Sequence, residues 1–242
     1  MKYRTTRSLS FLFAIVSGGA AGADVQAVDV AHILQDTGFA EVPLPTRSPC
    51  RLALPTFYIE KIGGRVEVTQ TRPAVIDSDF FGSNILYSWE NHGEWGGAVV
   101  AAFPDGKRSM LVRDTVVDVK SGLGTLAVFS GIYGRGAIYE IDDMAKNPRA
   151  VRTTLLPLTP EIVVADTRRV DMSRFYIVSH RGLMSYSSPD VIEIHAWAPR
   201  WFSGTPTSAE FHGDQLVIGY RGGVGVFDEY SEQGLRWFVP DN

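Results

Sequence analysis

The chain has 242 residues, 45% of them apolar, with 23 Lys and Arg against 27 Asp and Glu, and a single cysteine. A net charge of −4 argues against a nucleic-acid or anionic-membrane partner, because both select basic surfaces. One cysteine, Cys50, excludes an intramolecular disulfide and any site built from several thiolates, and reads as a small buried hydrophobe.

Residues 1–23, "MKYRTTRSLSFLFAIVSGGAAGA", place Lys2, Arg4 and Arg7 before an apolar run and end in small residues with an A-x-A cleavage pattern. That order is the one of a secretory signal peptide and points to a periplasmic or extracellular protein. The run breaks at Ser17-Gly18-Gly19, short of the roughly 20 apolar residues a spanning helix needs, so the chain does not read as an integral membrane protein. Cleavage leaves 20 cations against 27 anions, a mature charge of −7.

Residues 24–49 read as an N-terminal arm, in which "AVDVAHILQDTGF" has apolar residues at roughly helical spacing. From Thr56 onward the pattern becomes one of short strands. "TFYIE", "NILYSWE", "LAVFSG", "FYIVSH" and "LVIGY" are β-branched and aromatic, and each is followed by a turn and a second run: "RVEVTQ", "GAVVAAF", "GAIYEI", "GLMSY" and "GVGVF". Five hairpins recur, starting near residues 56, 84, 126, 175 and 216, with spacings of 28, 42, 49 and 41. "TVVDVKS", "EIVVAD" and "TSAEF" precede three of them as inner strands. "KRSMLVR", "AVRTTLL", "VIEIHAW" and "LRWFV" follow four of them as outer strands.

The expected fold is all-β. The last three spacings match the 40 to 50 residues of a four-stranded blade, and residues 50–242 resemble the β-propeller architecture of blade-repeat proteins. The resemblance implies a small propeller of four or five blades, with a β-sandwich as the alternative. "LRWFV" is expected to close near the N-terminal strands.

In a propeller the turns between second and third strands gather at one mouth, together with the links from each outer strand to the next inner one. Those turns carry Glu90, Asn91, His92, Glu94, Trp95, Tyr133, Arg135, His180, Arg181, Tyr220 and Arg221, the candidate binding residues. "ENHGEWGG" is the longest and is expected to act as a recognition loop, with Trp95 exposed and Trp89 packed between blades. Arg135, Arg181 and Arg221 stand just before glycines in equivalent turns. They read either as an anion-binding cluster or as a structural device repeated in each turn.

"HGE" lacks the cysteines of a zinc deaminase, and the five histidines have no short metal-binding spacing, so no metal or other cofactor is expected. The glycine-rich turns precede no helix and are not phosphate loops. Glu90 with Glu94, or Asp77 with Asp79, has the composition of a glycosidase pair but no spacing that fixes it. No catalytic residue is assigned. The leading expectation is a secreted, non-enzymatic protein that holds a protein partner at the mouth, as an inhibitor or toxin-immunity factor. Carbohydrate-binding or glycan-active propellers and structural assembly subunits are the alternatives.

Overall fold

The computed structural model describes residues 29–43, 55–62, 65–70, 79–82, 85–121, 125–132, 134–169, 174–197, 205–231 and 234–241. Residues 1–23, Cys50 and Asp77 lie outside them. The described chain is all-β apart from one short α-helix and a single 3-10 turn.

Helix α1 (Val30–Asp36) leads into β1 (Phe39–Val42), then the hairpin of β2 (Tyr58–Ile62) and β3 (Arg65–Thr69). A first antiparallel meander is made of β4 (Asp79–Gly82), β5 (Ile85–Asn91), β6 (Gly97–Ala102) and β7 (Arg108–Val112). The second comprises β8 (Val116–Ser121), β9 (Thr125–Ile132), β10 (Arg135–Asp142) and β11 (Ala150–Leu156). The third comprises β12 (Ile162–Ala165), β13 (Arg174–Ser179), β14 (Gly182–Ser187) and β15 (Val191–Trp197). The fourth has β16 (Pro206–His212), β17 (Gln215–Tyr220), β18 (Gly223–Asp228) and β19 (Leu235–Pro240), and β1 joins its outer edge.

The five expected hairpins and the seven flanking strands are all present. β1 and β4 are additions that the sequence patterns did not announce. β19 pairs with β1, from Phe39 opposite Pro240 to Val42 opposite Trp237, which sets "LRWFV" beside an N-terminal strand.

The segment read as an arm is packed into the fold over its described part. Asp29 caps α1 by accepting from Ala31 N at 3.0 Å, and Gln215 of β17 accepts from Val30 N at 2.8 Å. Val30, Ala31 and Leu34 are buried with Phe57, Ile59, Val217, Val224, Val226 and Phe238.

Apolar layers join the sheets in succession. One layer between the first and second meanders contains Tyr87, Val99, Leu126 and Val128, with Trp89 half-buried against it. The next contains Phe129, Ile138, Phe175 and Met184, between the second and third meanders. Tyr176, Leu183, Ile218 and Trp237 fill the layer between the third and fourth. The α1 cluster joins the fourth meander to the β2–β3 hairpin. β9, β13 and β17 are therefore covered on both faces, which is why they read as unbroken apolar runs rather than alternating ones. Burying each large side chain contributes about 1.5–3 kcal/mol. The first strands also follow one another in space, β8 against β12, β12 against β16 and β16 against β2.

One glycine recurs at the start of each third strand, at 97, 136, 182 and 223. A Cβ at Gly97 would lie 2.2 Å from the Glu90 carbonyl oxygen, and one at Gly182 2.2 Å from that of Ala196. At Gly136 and Gly223 the obstructing carbonyls, of Leu158 and Phe238, would be 2.5 and 2.6 Å away. The repeat is a requirement for close backbone approach.

At the ends of β12 and β13 away from the β13–β14 turn, a polar network ties the third meander to the fourth. Arg168 grips Asp166 through two nitrogens, at 2.7 and 2.9 Å, and reaches Glu229 at 3.1 Å. Tyr176 donates to Glu229 at 2.7 Å. His195 stacks on Tyr176, and burial lowers its pKa, as does the nearby Arg174 charge. No described helix is long and apolar enough to cross a membrane.

Candidate functional site

The β5–β6 connection is a compact turn rather than an open loop. A 3-10 helix, Gly93–Trp95, opens on Gly93 with φ 61° and is followed by Gly96 with φ 89°, both in the left-handed region that favours glycine. His92 N donates to Gly96 O at 2.8 Å, Gly93 N to the Asn91 side-chain oxygen at 2.7 Å, and Thr115 Oγ1 to Gly93 O at 3.1 Å. This fixed turn displays Trp95 with 84% of its surface exposed. Glu90 and His92 are exposed as well and approach to 3.4 Å, a contact worth little in solvent.

The β9–β10 turn is tied to the link between the second and third meanders, because Gly134 N donates to Thr159 Oγ1 at 2.8 Å. Arg135 opens β10 and is exposed; Tyr133 lies outside the described residues. In the β13–β14 turn, the His180 amide donates to Glu161 Oε1 at 3.1 Å, and the ring Nδ1 meets the same oxygen. The other Glu161 carboxylate oxygen is buried with no hydrogen-bond partner among the described residues.

Tyr220 corrects the expectation of a mouth anchor. It is fully buried, with its ring 5.1 Å from that of Trp237, because it ends a strand covered on both faces. Burial raises its pKa, and the Glu161 charge adds to the effect, so the phenol stays protonated. Arg221 next to it is exposed and pairs with Thr56 through an isolated bridge.

Two adjoining cavities result. The larger, about 760 Å³, receives Asn91 from the end of β5, Gly93 from the β5–β6 turn, Thr115 from the β7–β8 link, Gly134 from the β9–β10 turn and Thr159 from the β11–β12 link. His180 and Arg181 of the β13–β14 turn, with Thr205 before β16, complete its wall. The smaller, about 660 Å³, lies on the other side of the β5–β6 turn and is bounded by Glu90, His92, Trp95, Met110, Arg113 and Asp114.

Of the candidate residues, Asn91, His180 and Arg181 thus share one cavity and Glu90, His92 and Trp95 the other. Arg135 and Arg221 line neither, so the three arginines form no common anion site in these cavities. Glu94 belongs to the same turn as Trp95. Thr115, Thr159, Glu161 and Thr205 were not singled out from the sequence. The signal for them was present, since they lie on or beside links expected to emerge with the turns.

Asp114 holds the boundary between the cavities. Its carboxylate accepts from Thr115 N at 2.7 Å and from Ser130 Oγ and Tyr139 OH, each at 2.8 Å. Among the described residues no group of three His, Cys, Asp or Glu side chains is placed to hold a metal ion. Compared with known proteins, the chain matches no family model, and a search of curated proteins gives no match.

Proposed function

We propose that this chain is an exported binding protein of the β-propeller type that holds a protein partner at the mouth formed by its turns and links. The observation that carries this reading is the convergence of six connections, from β5–β6 to β15–β16, on one cavity of about 760 Å³ beside an exposed tryptophan. A rigid sheet scaffold bearing such a surface suits recognition. Tryptophan and arginine, here Trp95 and Arg181, are the residue types that dominate binding hot spots.

The propeller geometry in this proposal is supported by the meander order, the succession of first strands β8, β12, β16 and β2, and the apolar layers that run from the first meander through the second, third and fourth to the β2–β3 hairpin. On that plan the four meanders are blades and the β2–β3 hairpin belongs to a fifth. Occluding a secreted protein's own working surface is what an inhibitor or immunity factor does, and a concave mouth fits that role.

The test is a photo-crosslinking residue placed at Thr205, with a control at exposed Val151 on β11, in cells exporting the protein. The expected result is one protein partner captured from position 205, lost with Arg181→Ala and not captured from position 151. Retention on a glycan array without any captured protein would overturn the reading in favour of a sugar-binding module. Sequencing of the exported protein is expected to begin at Asp24.

A further inference from the structure

We propose that the smaller cavity, beside Trp95, receives a cationic side chain, arginine or lysine, presented by the protein partner. This rests on the mouth being the binding face, and it specifies the chemistry that face selects.

Three observations lead to it. The first is the combination of exposure and rigidity at Trp95. Its indole is 84% exposed, yet its backbone N–H donates to His92 O at 3.3 Å in a turn pinned to Thr115. The backbone that bears the ring is therefore held, and binding has only the two side-chain torsions of the indole left to order. Met110, 60% exposed, borders the same cavity and adds a polarizable thioether that adapts to a flat or extended guest.

The second is charge. Glu90 and Asp114 face one permanent cation, Arg113, so carboxylates outnumber arginine and lysine around the cavity by one. Asp114 is committed to Thr115, Ser130 and Tyr139 and serves as a fixed negative wall. Glu90, with a side chain 63% exposed, meets only His92 among the described residues and can turn toward a guest.

The third is the match between these groups. A cation over an indole face is drawn to the ring quadrupole, most strongly for tryptophan, and a carboxylate at the rim satisfies its N–H donors. Arginine fits best, since its planar fork stacks and pairs at once. A sugar ring also stacks on tryptophan and can donate hydroxyls to a carboxylate, but being neutral it gains no charge attraction from the rim or from a chain of net charge −4, both of which draw in a basic partner.

The probes are N-acetyl-arginine methylamide, the corresponding glutamate compound and cellobiose, each titrated into nitrogen-labelled protein while the Trp95 indole resonance is followed, assigned by its loss in Trp95→Phe. The arginine compound is expected to shift that resonance and to bind several-fold more tightly than the other two. Glu90→Gln should weaken it by roughly threefold to tenfold. Val151→Ala, exposed on β11 and away from both cavities, should leave it unchanged.

Equal or tighter binding of the glutamate compound or of cellobiose would overturn the proposal, as would an arginine affinity indifferent to Glu90→Gln. If the titration fails while the cross-link from position 205 persists, the mouth holds a protein but selects no cation at Trp95. Failure of the mouth reading itself shows differently, as partner capture that ignores both Trp95→Ala and Arg181→Ala.

Discussion

Arg174 of β13, buried at 4% exposure, places a guanidinium nitrogen 2.6 Å from the carboxylate of Glu229, which follows β18 in the neighbouring meander. The same nitrogen lies 2.7 Å from Glu193 and 3.1 Å from Ser185. One side chain therefore joins two strands of its own sheet to the next sheet. The arrangement has a consequence in acid. Burial pushes the Glu229 pKa up, but the bonds from Arg174, Tyr176 and Arg168 outweigh it and hold the carboxyl at about 2, below its ordinary 4.5. The folded state then binds this proton less readily than the unfolded state. The stabilisation is complete above pH 4.5 and is lost as the pH falls toward 2. It amounts to roughly 3 kcal/mol. Urea unfolding midpoints measured from pH 7 down to 2 should show a steep acid limb that Glu229→Gln flattens.

Tyr87 is fully buried, and its hydroxyl donates to Asp143 at 2.5 Å, linking the first meander to the β10–β11 connection. Tyr87→Phe keeps the ring but takes a donor away from a buried carboxylate. The expected cost is about 1–3 kcal/mol, read from equilibrium denaturation. A loss within error would mean that the ring alone holds this junction.

Gly182 has a different sensitivity. Its added Cβ would sit 2.2 Å from the Ala196 carbonyl oxygen on β15, so Gly182→Ala must push two paired strands apart. A loss of about 1–3 kcal/mol is expected, with a lowered melting temperature. Because the position repeats at 97, 136 and 223, Gly223→Ala should behave alike.

Trp95→Ala should leave stability within about 0.5 kcal/mol, since the ring touches little of the core. Partner affinity should fall by roughly 2 kcal/mol. Melting and binding measured on one preparation separate the two effects. A large drop in melting temperature would show that the turn depends on the indole.

The strand repeat was legible because β9, β13 and β17 are covered on both faces and therefore carry unbroken apolar runs, while glycines punctuate each turn. β4 was missed because "DFFG" is only four residues long and begins at Asp79, one of an acidic pair weighed for its chemistry rather than as a strand. β1 was missed because "FAEV" has little pattern of its own, and its pairing with β19 is a long-range contact that no local window reports. In the site, the turn residues could be placed by repeat position, but burial could not. Tyr220 and Arg221 are neighbours at the junction of β17 with its turn, yet the first is buried against Trp237 and the second is exposed. Alternation at a strand end decides between them, and the end was known only to within a residue or two. Glu161 was passed over because its bond to His180 joins two separate connections.

The pairing of β1 with β19 also governs the order in which the molecule can be completed. The Arg236–Glu41 contact, 2.5 Å long, spans 195 residues of sequence, so the edge offered by residues 39–42 waits for a partner made 195 residues later. Until then β1 has no β19 to pair with, and α1 lacks Val224, Val226 and Phe238 as its packing surface. Closing so long a loop is slow compared with forming the local meanders. Maturation should therefore proceed in two kinetic phases, with the four meanders collapsing first and the seam between residues 39–42 and 237–240 locking last.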